Sequence, residues 1–86
     1  MRVTVRLFAR LRDLAGTGEL VRVLSPGATV GAVWDGLIAD WPDLEPYARS
    51  MTCAVNADYS RMTATVAEGD EVAFLPPVSE IGRAHV

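Results

Sequence analysis

Hydrophobic and polar positions change period along this chain, and the changes mark out its elements. In "RVTVRLFA", Val3, Val5 and Leu7 alternate with Thr4, Arg6 and Phe8, the period of two expected of a strand with one buried face. Phe8 falls on the polar side of that alternation. Leu11, Leu14 and Ala15 then recur at helical spacing before Gly16, which predicts a short helical turn with a glycine at its C-terminal cap. Leu20, Arg22 and Leu24 alternate with Val21 and Val23, and the run stops at Ser25-Pro26-Gly27, giving a second strand paired in a hairpin with the first. From Thr29 the period lengthens: Val30, Val33, Trp34, Leu37, Ile38 and Trp41 lie three and four apart, the stripe of an amphipathic helix capped by Thr29 and ended by Pro42. "DLEPYARS" reads as a loop with one helical turn. Met51, Cys53 and Val55 share one face of a third strand, "NADYS" is a turn signal, and "RMTATV" is a short extended piece before a turn at Gly69-Asp70. "EVAFL" closes the pattern, with Val72 and Phe74 on one side and Ala73 and Leu75 on the other.

One long helix among several strands covers only one face of one sheet, so the class is α+β in two layers. Setting the last strand beside the first in the centre, with hairpins outside, gives a ubiquitin-like β-grasp: a mixed sheet covered on one face by one main helix. The expected division is a domain over residues 1–79 and a flexible C-terminal tail over residues 80–86.

Composition narrows the possibilities. Eighty-six residues suffice for one small core, and half of them are hydrophobic. A net charge of −3 speaks against a nucleic-acid partner, because phosphate binding needs clustered positive charge. Every Lys-or-Arg position is Arg, which excludes lysine Schiff-base chemistry. The single Cys rules out a disulfide framework and fits a reducing compartment. No signal peptide and no membrane span of about 20 apolar residues is read, so a cytoplasmic protein is expected.

Candidate chemistry within the domain is sparse. Cys53 lies mid-strand, far in sequence from the only His, His85, and reads as a buried thiol rather than a nucleophile. A lone His without further ligands at metal spacing is no zinc site, and Asp40, Asp43 and Glu45 lack the spacing and glycine of a calcium loop. Glu68, Asp70 and Glu71 read as turn and strand-edge charges, Trp34 and Trp41 as core and core margin. Gly16 and Gly18 make no phosphate loop, and no cofactor or metal is implied.

The C-terminal portion is more telling. "VNADY" at residues 55–59 and "EGDEVAFLPPVS" at residues 68–79, with the opening "VRLFARLRDLAG" at residues 5–16, resemble the sulfur-carrier family that includes the small subunit of molybdopterin synthase (MoaD) and the thiamin-pathway carrier ThiS. The resemblance runs the length of the chain and is nearest the small-subunit branch. It implies a β-grasp protein ending in a diglycine. An adenylating enzyme of the MoeB type activates that terminus with ATP, and sulfur transfer makes it a thiocarboxylate. The large synthase subunit (MoaE) receives the tail and uses its sulfur to convert cyclic pyranopterin monophosphate to molybdopterin. Such a subunit donates sulfur without being an enzyme by itself.

A terminus that must enter two narrow active sites has to be slim, and glycine has no side chain to block the channel. Pro76-Pro77 stiffens the exit and aims the tail. Where the family has Gly-Gly after Ser79, this chain has Glu80-Ile81 and then Gly82-Arg83-Ala84-His85-Val86. Three explanations stand. The chain is the leading piece of a fusion with the large subunit, in which Gly82 becomes the thiocarboxylate terminus after proteolysis; it is a ubiquitin-like interaction module without sulfur chemistry; or it serves thiamin or cysteine synthesis. Partner binding is expected on the sheet face the helix leaves open, through Phe8, Leu75, Pro76, Pro77 and Val78 at the root of the tail.

Overall fold

The computed structural model describes residues 1–76. Val3, Val5 and Leu7 put their side chains inward from β1 (Arg2–Leu7), and Leu11 does so from α1 (Ala9–Ala15). Gly16 ends α1 in the left-handed conformation, φ 76°, its N–H bonded to the Arg12 carbonyl at 2.8 Å. β2 (Glu19–Val23) returns antiparallel to β1, Val5 facing Leu20 and Val3 facing Arg22. α2 (Val30–Asp40) follows, the Thr29 side chain accepting the Ala32 N–H at 3.2 Å as an N-terminal cap. Val30, Val33, Trp34 and Leu37 form its buried stripe, as the spacing predicts.

β5 (Glu71–Leu75) is the key element. It runs parallel to β1 on one side and antiparallel to β3 (Thr52–Val55) on the other, in a five-stranded mixed sheet of order β2-β1-β5-β3-β4. Val72 and Phe74 point to the helix layer, where the Phe74 ring meets Trp34 with centroids 5.1 Å apart. The α+β class and the mixed sheet beneath one main helix are those the sequence predicts. No helix among the described residues is long and apolar enough to cross a membrane.

Two segments differ from expectation. "NADYS" is not only a turn: Asn56 and Ala57, both at positive φ (52° and 73°), form a two-residue hairpin loop, and Asp58–Ser60 is already β4, paired antiparallel to β3. As a three-residue edge strand with one open face, β4 is too short and too polar to show an alternating apolar pattern. The piece at residues 61–66 forms no strand, only an isolated bridge of Thr29 with Thr65, yet the Val30 and Gly31 N–H groups bond to its Ala64 and Met62 carbonyls and Val66 is buried. The other difference is Pro42–Tyr47, which is a 3₁₀ helix rather than a loop with one turn, and it buries Leu44 completely. Its spacing of three from Trp41 and Tyr47 was the signal for that burial.

Candidate functional site

The face of the sheet opposite α2 is open. β1 presents Thr4 and Arg6 to it and leads directly into Phe8; β5 presents Ala73 and Leu75, β3 presents Thr52 and Ala54, and β4 presents Tyr59. Period-two alternation puts these residues outside because their neighbours Val5, Leu7, Val72, Phe74 and Cys53 are in the core. Phe8 is 36% exposed and Tyr59 83% exposed, with Leu75 half-buried. Ala54 and Ala73 pair across the middle, and Ala54 is buried although it points to the open side, since its small side chain is shaded by its neighbours in the sheet. The result is a mixed face with an alanine pair at its middle, on which Phe8, Leu75 and Tyr59 are the large apolar side chains of β1's end, β5 and β4.

Phe8 and Leu75 follow immediately after the paired residues Leu7 and Phe74, so they occupy neighbouring register positions at the end where β5 leaves the sheet. The sequence makes the patch conditional on these two strands being neighbours, and they are. Pro76 departs from the expectation: it is buried and not part of the exposed patch. Pro77, Val78 and Gly82, with the Glu80-Ile81 pair, lie outside the described residues. Tyr59 was missed from sequence because "NADYS" reads as turn, and an aromatic beside a turn carries no face assignment.

Charges frame this surface. The Arg6 guanidinium lies 5.6 Å from the Phe8 ring centroid and is held between Glu71 at 3.3 Å and Glu19 at 3.8 Å. The acidic residues read as turn and edge charges have structural tasks. Glu68 accepts the Arg2 N–H at 2.8 Å. Asp70 accepts from the Asn56 amide at 3.0 Å and from the Ala67 N–H at 2.8 Å, and these bonds hold its carboxyl below the usual range. Cys53 is buried, burial pushes its thiol up, and its Sγ donates to the Ser60 carbonyl at 3.2 Å, an arrangement that leaves it a poor nucleophile. Among the described residues no group of His, Cys, Asp and Glu is placed to hold a metal ion. Asp40 instead pairs with Arg22, whose guanidinium lies 5.6 Å from the Trp41 ring centroid and ties β2 to the end of α2. The described residues thus supply a central strand that ends at buried Pro76 beside an exposed sheet face.

Comparison with known proteins agrees with this architecture. The model of the ThiS family matches residues 5–79. The molybdopterin synthase sulfur carrier subunit of Arabidopsis thaliana is 35% identical over 77 residues, covering 90% of this chain and 80% of that protein. Among solved structures, a putative molybdopterin converting factor subunit 1 from Pyrococcus furiosus superposes with a TM-score of 0.81 at 29% identity, covering 91% of this chain and 99% of that one. The small archaeal modifier protein 1 of Haloferax volcanii superposes with a TM-score of 0.82 at 28% identity, covering 90% and 98%. With the family model spanning most of the chain and the strand order set as above, the chain belongs to the ThiS family of sulfur carriers.

Proposed function

We propose that this chain is the small subunit of molybdopterin synthase and delivers sulfur as a C-terminal thiocarboxylate to cyclic pyranopterin monophosphate in the cytoplasm, after processing at Gly82. The observation that carries the reading is the placement of β5: a central strand, paired on both sides, ends at buried Pro76 beside an open face that carries Phe8 and Leu75. A reactive terminus needs such a rigid base, because a short tail samples a small volume when its root is fixed. The likeness to a molybdopterin synthase sulfur carrier subunit gives the base its chemistry.

The chemical sequence then follows from the carboxylate. A carboxylate is a poor electrophile until its oxygen attacks the α-phosphorus of ATP and displaces pyrophosphate, giving an acyl adenylate. A sulfur nucleophile supplied by the sulfurtransfer machinery attacks the acyl carbon, and AMP leaves with the former carboxylate oxygen. An adenylating enzyme of the MoeB type performs the activation, and a large subunit of the MoaE type receives the loaded tail. A slim glycine carboxylate suits such channels better at the reacting end than the branched Val86, which is why cleavage after Gly82, removing residues 83–86, belongs to the proposal.

Intact mass spectrometry tests it. Incubated with ATP, activating enzyme and sulfurtransfer machinery, a chain cut after Gly82 gains the mass of one oxygen replaced by one sulfur, and the chain ending at Val86 does not. A chain carrying Glu80→Gly and Ile81→Gly and ended at position 81 is at least as active. Thiocarboxylation of Val86 as readily as the others would sink the argument from glycine. Glu80-Ile81 in place of Gly-Gly favours a second reading, a ubiquitin-like interaction module without sulfur chemistry. In that case none of the three species gains sulfur.

A further inference from the structure

Phe8 has neighbours on the β2 side as well as on the β5 side. Arg6, Leu7, Phe8, Arg12, Gly18 and Glu19 line an open depression of about 400 Å³. Its shape is set by two backbone features. Ala9 leaves β1 at φ 51°, in the left-handed region that alanine rarely adopts, and so turns α1 out of the strand directly behind Phe8. Gly18 then makes room for Arg12: a Cβ at Gly18 would stand 2.9 Å from Cδ and 3.4 Å from Cγ of Arg12, so the arginine stem is seated against the glycine backbone. The Arg6 charge is already shared between Glu71 and Glu19. Arg12, which also lines the depression, makes no ion pair among the described residues.

The charge pattern selects the occupant. The chain is acidic overall, yet Arg2, Arg6, Arg10 and Arg12 all precede its first acidic residue, Asp13. An exposed guanidinium on a depression that an aromatic ring also lines matches a carboxylate with an apolar neighbour, because two parallel N–H groups reach the carboxylate oxygens while the ring covers the apolar group. We infer that Arg12, seated on Gly18 beside Phe8, is an anchor that receives a carboxylate of the large synthase subunit, extending the apolar face into a charged rim. This rests on the small-subunit reading, and names the partner chemistry of that surface.

Calorimetric titration of the large subunit from the same organism into the chain ended at Gly82, the processed form of the proposal, tests the anchor, with unfolding midpoints confirming that each variant folds. Arg12→Gln weakens association roughly tenfold and flattens its salt dependence, as loss of a partnered interfacial charge does. Arg10→Gln removes the same charge from the same helix outside the depression and changes affinity less than about twofold. Gly18→Ala weakens association with Arg12 still present, because the added methyl group displaces its stem. If the parent binds and Arg12→Gln binds as tightly, the anchor is overturned. Equal losses in Arg10→Gln and Arg12→Gln overturn it too, since long-range attraction alone then explains both. A parent that does not bind at all overturns the small-subunit reading, and the anchor with it.

Discussion

Cys53 and Asp70 take opposite electrostatic directions for reasons that only their surroundings supply. The thiol loses water on burial and is held protonated, while the carboxylate stays at the surface and is favoured in its charged form by the Asn56 amide and the Ala67 N–H. Burial of Cys53 was legible, because its place between Met51 and Val55 in an alternating run marks a core position. The task of Asp70 was not, since Asn56 is 14 positions away and joins it only when β3 and β5 pair. A depressed folded-state value means that Asp70 adds stability above the unfolded carboxyl pKa of about 3.9, and that this is lost as pH falls through the lower folded value. Urea midpoints measured at neutral pH and below about pH 3 should therefore fall less with acid for Asp70→Ala than for the parent. Equal slopes would show that its hydrogen bonds do not depend on its charge.

At the scale of elements, α2 was readable and the β3–β4 hairpin was not. An 11-residue helix repeats its apolar stripe several times and carries its own cap in Thr29, so local sequence suffices. β4 has only three residues, Asp58–Ser60, and its existence depends on β3 lying beside it. The hairpin loop sets Ala57 at φ 73°, a conformation that glycine adopts freely and alanine does not. Ala57→Gly should then stabilise the domain by about 1 kcal/mol, the strain relieved exceeding the added chain entropy. Denaturant unfolding checks this, and a lower midpoint for the glycine variant would mean that the loop holds alanine without strain. Asn56 reinforces the same turn from outside, its side-chain carbonyl accepting the Glu71 N–H at 3.0 Å.

Over the whole molecule, the sheet order turns scattered residues into a surface. Phe8 and Leu75 are 67 positions apart in the chain, and the parallel pairing of β1 with β5 makes them neighbours at the tail root. Phe8→Ala or Leu75→Glu should leave the fold intact and weaken association with the large subunit by about 1–3 kcal/mol, the scale of an apolar interface anchor. Unchanged affinity by calorimetry in a folded variant would remove the face from the interface. The sequence by itself determined the periods, and with them the helix, the inner faces of β1 and β5, the C-terminal cap at Gly16 and the family, because each of these is written in residues close together along the chain. It left open which side of β2 faces inward, since Leu20, Arg22 and Leu24 compete there with two valines. Tertiary structure decided this by aligning Val5 with Leu20 and by placing Asp40 and Trp41 to receive Arg22, so that Val21 and Val23 turn out to solvent at 53% and 74% exposure. It also decided that Pro76 is buried and that Tyr59 joins Phe8 and Leu75 on one face, because burial and neighbourhood depend on strands that meet only when the sheet is complete.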